Sequence, residues 1–119
     1  MNLNNLINTI KAHPDYDRVG MILAHNGVVR CTSRDGRKVS GLKVSVDHEK
    51  LEQVIQTHKK RPGIVEILVE IAEDRELTVG EDVMFIVVAG DIRDHVIATL
   101  NDTLNAVKST VTRKTEFFV

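Results

Sequence analysis

Basic residues are the best-organised chemical groups in this chain. Arg30, Arg34, Arg37 and Lys38 crowd the end of one apolar segment and the polar loop that follows it. Arg93 falls where a helix should begin, Lys108 where that helix should end, and Arg113-Lys114 lie in the last apolar stretch. If they converge, they would hold a ligand carrying phosphate and carboxylate groups, with Arg giving fork-like contacts and Lys a point charge. Free amides in the first helical turn already favour an anion near Arg93. The alternative is a solvated face in which Lys108 merely complements the helix dipole. Other chemistry has less support. His13, His25, His48, His58 and His95 show neither i, i+4 pairing nor HExxH spacing, so no metal site is expected. Motifs of the GxSxG, GxGxxG and GxxxxGK[ST] types do not occur, and no cofactor is implied. Cys31, the single cysteine, is expected to be a small buried thiol rather than a nucleophile.

The elements that must position these groups follow from periodicity and punctuation. Leu3, Leu6, Ile7 and Ile10 share one face of a helix that His13-Pro14 ends. Arg18 to His25 reads as a buried strand, and Asn26-Gly27 suits a turn or bulge before an extended Val28 to Cys31. Thr32 to Lys38 forms a basic loop with Asp35-Gly36 at its tip. Leu42, Val44 and Val46 then alternate with Lys43, Ser45 and Asp47, as in a half-buried strand. Asp47 is placed to cap a helix from His48 to Lys60, whose inner face is Leu51, Val54, Ile55 and His58. Arg61-Pro62-Gly63 stops it, and a strand from Ile64 to Ala72 follows. A charged connection, Glu73 to Asp82, leads to the apolar strand Val83 to Ala89. Gly90-Asp91 opens a second helix with a stripe of Ile92, Val96, Leu100, Leu104 and Val107. The last strand is Val111 to Phe118, expected at a sheet edge where another chain can pair. The fold class is therefore α+β: a ferredoxin-like βαββαβ core from Val39 onward, with an N-terminal helix and extra strands added to it.

Length and composition set the bounds. The 119 residues make one domain, 1–119, able to bury a core without staples. Sixteen Lys and Arg balance seventeen Asp and Glu, which argues against nucleic-acid binding through bulk charge. With no Trp, one Tyr and three Phe, a base-stacking platform is equally unsupported. The longest apolar run, Val83 to Ala89, is too short for a membrane span. A lone cysteine and no visible secretory signal make the expected location cytoplasmic.

Several stretches, in order, resemble the molybdopterin synthase large (catalytic) subunit family. His25-Asn-Gly27-Val-Val-Arg30 resembles its Phe-x-Gly-x-Val-Arg segment, and Leu77-Thr-Val79-Gly80-Glu81 its Leu-x-Val-Gly-Glu. Ala89-Gly-Asp-Ile-Arg93 occupies the place of a Ser/Gly-Ala-His-Arg helix start. Leu104-Asn-Ala-Val-Lys108 and Arg113-Lys114-Thr-Glu116 resemble its Leu-Lys and Trp-Lys-Lys-Glu close. The resemblance implies a hammerhead form of the βαββαβ core. It also implies sulfur transfer from the thiocarboxylate of a small ubiquitin-like carrier subunit to cyclic pyranopterin monophosphate, giving molybdopterin. Lys108 and Lys114 would be catalytic, and Arg30, Arg93 and His25 would bind substrate. A homodimer within a heterotetramer is implied as well. The resemblance is to a divergent member: Ile92 stands for a His, Ala72-Glu73-Asp74-Arg75 for a His-Arg-x-Gly motif, and His25 for a Phe. The family's Pro-x-Trp before the second lysine has no counterpart. Its C-terminal tail, expected to supply an Arg across the dimer, has none beyond Val119. These departures leave an alternative: a non-catalytic relative that keeps the fold and dimer as a carrier- or anionic-metabolite-binding module.

Overall fold

A computed structural model of the chain describes residues 1–119. Helix α1, Leu3–Lys11, starts at Asn2, whose side-chain oxygen accepts from the Asn5 N–H at 3.3 Å. Its Leu6 and Ile10 are buried. A short 3₁₀ turn over Tyr16–Arg18 takes the place of the expected strand start, so strand β1 runs Met21–Val28. Asn26-Gly27 does not reverse the chain; it lies inside β1, and the ladder bulges between Gly27 and Val28. Val29 to Cys31 leave the sheet instead of forming a second extended segment.

Three antiparallel strands make the first sheet in the order β1-β5-β3, with β3 at Ile64–Ile71 and β5 at Asp82–Gly90. Central β5 is covered on both faces. Phe85, Val87 and Ala89 meet Leu6 and Ile10 of α1. Met84, Ile86 and Val88 meet α2 (His48–Lys59) and α3 (Arg93–Ala106). This double burial is why β5 reads as an uninterrupted apolar run rather than an alternating one. Cutting a wholly buried residue such as Ile86 back to Ala would cost about 2–5 kcal/mol.

The second sheet has the order β4-β2-β6, from β4 (Leu77–Thr78), β2 (Val39–Val46) and β6 (Thr112–Phe118). It carries its own small core of Val29, Leu42, Val44, Ala72 and Leu77. The βαββαβ order from Val39 stands, with its strands shared between the two sheets. In a single ferredoxin-like sheet β2 would lie beside β5. Here β1 takes that edge of β5 along its whole length, and β2 pairs with β4 and β6. As expected, β6 ends up on an edge.

Two expectations about burial are corrected. Ile92 is 51% exposed, because it precedes the helix as its N-cap instead of joining the stripe. The rest of the stripe holds, with Val96 and Val107 buried and Leu100 and Leu104 packed on the core, and the buried Thr99 and Thr103 widen that face. Cys31 is exposed rather than buried, since it lies in the surface link from β1 to β2. Beyond Ala106 the helix widens into a π turn over Val107–Val111, closed by the Thr112 N–H donating to Val107 O. Its ends, Val107 and Val111, are buried, which leaves Lys108, Ser109 and Thr110 exposed. β6 consequently begins at Thr112 rather than Val111.

Candidate functional site

Where the two sheets meet, a cavity of about 480 Å³ opens between β1, β2, β5, β6 and the π turn. That volume is within the range of small-ligand sites. Leu42, Val44, Val83 and Met84 form its apolar floor, and the polar groups above are mostly cationic: Arg30, Arg34, Lys108 and Lys114, with His25. Glu116 is the one carboxylate among them, and it sits 3.6 Å from the Lys114 ammonium. Four cations against one carboxylate, over apolar walls, focus a positive field into the cleft.

Each side chain arrives by a separate local rule. On β6, residues two apart share a face, so Thr112, Lys114 and Glu116 look into the cavity. Arg113 is turned to the opposite side, which separates the Arg113-Lys114 pair. The register fixes Lys114 opposite Val44 and Glu116 opposite Leu42. Lys108 is presented by the π turn, a helix irregularity found often at functional sites. On β1, Met21 and Leu23 pack on the α3 side and Ile22 on the α1 side. By alternation His25 and Gly27 continue the row under α3 to the point where it reaches the cavity. Burial, and then the nearby Lys108 charge, hold the His25 imidazole below its ordinary pKa.

The loop after Arg30 is braced from within. The Ser33 hydroxyl donates to the Asp35 carboxylate, and the Arg37 N–H reaches Ser33 Oγ at 3.2 Å. The Ser33 bond is the chief reason the Asp35 carboxyl lies below its usual range, with the Arg37 N–H adding to it. So closed, the loop directs Arg34 into the cavity, whereas Arg37 stacks on the Phe118 ring, 3.6 Å from its centre.

Of the residues singled out from the sequence, the cavity brings together His25, Arg30, Lys108 and Lys114. Arg93 is not among them: it is exposed in the first turn of α3, away from the cleft. The anion-favouring position at that helix start is already served by Asp91, whose carboxylate accepts from the Ile92 N–H at 2.6 Å and meets His95 Nδ1 at 2.8 Å. Arg34 and Glu116 were missed as site residues. The alternation that faces Lys114 inward also faces Glu116 inward, and Arg34 was visible only as one of several loop cations. The acidic segment after β3 turns away from the cleft. Glu73 holds His48 Nε2 at 2.8 Å, and Arg75 meets Glu81 at 3.5 Å.

Comparison with known proteins identifies the family and the fold. The family model described as MoaE protein matches residues 2–110. A Staphylococcus aureus molybdopterin synthase structure superposes with a TM-score of 0.74 at 19% identity, over 87% of this chain and 77% of the other. Molybdopterin cofactor biosynthesis protein E from Burkholderia multivorans gives 0.78 at 19% identity, over 100% and 84%. The complex of subunits 1 and 2 of molybdopterin-converting factor from Helicobacter pylori gives 0.72 at 14%, over 100% and 84%. No protein among the curated sequences matches. No helix is long and apolar enough to cross a membrane.

Proposed function

Since the chain belongs to the MoaE protein family, the molybdopterin synthase subunits of molybdenum cofactor biosynthesis, we propose that its cationic cavity is the sulfur-transfer site. The carrier subunit's C-terminal thiocarboxylate enters the cleft, and cyclic pyranopterin monophosphate receives the sulfur, twice, to become molybdopterin. Arg30, with Arg34 beside it, binds the substrate phosphate through guanidinium forks. The Lys108 and Lys114 ammonium groups stabilise the negative charge that develops on the acyl oxygen, an effect strengthened by the apolar floor. Glu116 keeps Lys114 in place. His25 lines the same wall and contacts substrate.

One observation carries this reading: a loop, a π turn and an edge strand, far apart in the chain, deliver Arg30, Lys108 and Lys114 to a single cleft. No comparable observation favours the non-catalytic alternative. A small carrier subunit is the partner this function requires, and the free edge of β6 offers backbone to a second chain. Arg93, remote from the cleft within one chain, keeps its anion-binding assignment only if a second copy of the chain brings it there in a homodimer. The test is a turnover assay of the protein with a thiocarboxylated carrier and cyclic pyranopterin monophosphate. Molybdopterin is the expected product. Carrier binding without product would reduce the protein to a binding module, and neither would leave only the fold.

A further inference from the structure

Four of the five histidines are tied to partners. His13 Nδ1 accepts from the Asp15 N–H, His48 meets Glu73, His58 Nδ1 lies 2.7 Å from Val54 O, and His95 meets Asp91. His25 differs: burial and the Lys108 charge act on it, and no hydrogen bond does. Gly27, next on the same face of β1, leaves the room its ring needs, since a Cβ there would stand 3.2 Å from His25 Nε2. The imidazole thus leans over the glycine along the cavity wall, its nitrogens free for whatever enters.

Burial first, and then the Lys108 charge, favour the neutral imidazole. Lys108 on the π turn, Arg30 and Arg34 on the loop, and Lys114 on β6 are all cations, and Glu116 on β6 is paired with Lys114. β5 contributes only Val83 and Met84 to the cavity. Lysine and arginine side chains hold their protons at neutral pH, and Glu116 is engaged. The remaining proton acceptor of useful strength is the neutral imidazole.

We propose that His25 is the catalytic base that activates water for release of the carrier. The inference rests on the sulfur-transfer reading and extends it. A carrier that arrives as a thiocarboxylate and leaves as a carboxylate must gain one oxygen, and water is its source. Once the carrier's sulfur is bonded to the pterin, the carrier acyl group is a thioester. The water oxygen bonds to the acyl carbon, the carbon–sulfur bond breaks, and the thiolate stays on the pterin. His25 takes one water proton and passes it to solvent. The second proton leaves with ionisation of the new carboxylic acid, and no oxidant or reductant is needed. Lys108, beside the imidazole, faces the oxyanion formed on the way.

The test is a single-turnover experiment with thiocarboxylated carrier and cyclic pyranopterin monophosphate, using wild type, His25→Gln and His25→Phe. Product is followed across pH, and the carrier–pterin thioester by intact-protein mass spectrometry. Both variants are expected to slow carrier release at least about 100-fold, the lower range for general-base catalysis, and to accumulate the thioester. Wild type should lose rate on the acid side as the imidazole protonates, with the limb below the ordinary histidine value; the variants should lack that limb. Unaltered rates, no thioester build-up, or an acid limb that persists in the variants would overturn the role of His25 while leaving the sulfur-transfer reading intact. Absence of product from wild type would remove both. His25→Phe fills the ring's volume, and melting curves and carrier pull-down identify a variant that has lost its fold or its partner.

Discussion

The two ends of α3 began as equal candidates for an anion site, and the structure separates them. At the N-terminal end Arg93 stands on free helix amides, a generic attraction for anions. There the protein's own Asp91 takes the position, and the surroundings are open surface. At the other end the helix dipole also favours the Lys108 cation, yet what makes a site is the π turn that faces Lys108 into the gap between two sheets. A helix terminus supplies partial charge. A site requires in addition walls that exclude water and further cations from elsewhere in the chain.

Substitutions can break or sharpen that contrast. At the cavity end, the effect of losing a second cation beside Lys108 is also expected to be large. Arg30→Ala, removing a charged bond to phosphate worth about 1.5–3 kcal/mol, should raise KM for the pterin roughly 10- to 150-fold with the melting temperature unchanged. Hybrid dimers measure the opposite end. If Arg93 acts across a dimer, mixing Arg93→Ala with Lys108→Ala protein restores one of the two sites per hybrid. Recovery of activity over either variant alone supports that placement, and no recovery puts both residues in the same chain's site or Arg93 in none. In the last turn of α3, the Thr103 hydroxyl is wholly buried without a hydrogen-bond partner. Thr103→Val should stabilise the protein by about 1 kcal/mol, read as a higher melting temperature with turnover unaffected.

The smallest effect belongs to the N-terminal cap. The His95 hydrogen bond, and then that from the Ile92 N–H, place the Asp91 carboxyl below its ordinary 3.8. A depressed folded-state value means that the ionised carboxylate favours the fold above 3.8, and that this contribution is lost as the pH falls through the lowered value. Asp91→Asn should therefore melt slightly below wild type near neutrality. The gap should close in acid, and a gap that stays constant with pH would show that charge at Asp91 is immaterial.

Local elements were legible because local chemistry dictates them. Asp47 accepts from the Lys50 N–H at 3.1 Å and starts α2 where its spacing says it should. Leu6 and Ile10 are buried together, as a helical face requires. The division into two sheets was not legible, because it depends on which strand wins the free edge of β5, a competition between segments distant in sequence. α3 shows a subtler gap. Val96, Leu100, Leu104 and Val107 pack on the core as their spacing requires, but Ile92 is 51% exposed and the buried Thr99 and Thr103 carry no hydropathy signal. In the site, Arg30, Lys108 and Lys114 stood out as organised cations, and the resemblance gave them roles; that Lys114 and not Arg113 enters the cavity is set by the β6 register. Selecting Arg34 over Arg37 needed the braced loop and the Phe118 ring, contacts no spacing encodes.

Sulfur transfer in this cavity depends on Lys108 facing the reacting acyl group from the end of α3. The most direct measurement is turnover of Lys108→Ala against wild type, with thiocarboxylated carrier and cyclic pyranopterin monophosphate saturating. Lys108 is exposed at the cavity, so the variant should fold normally and bind carrier. Product formation is expected to fall at least about 100-fold, as when a charge-stabilising donor is removed from an active site. Turnover within a few-fold of wild type would contradict it.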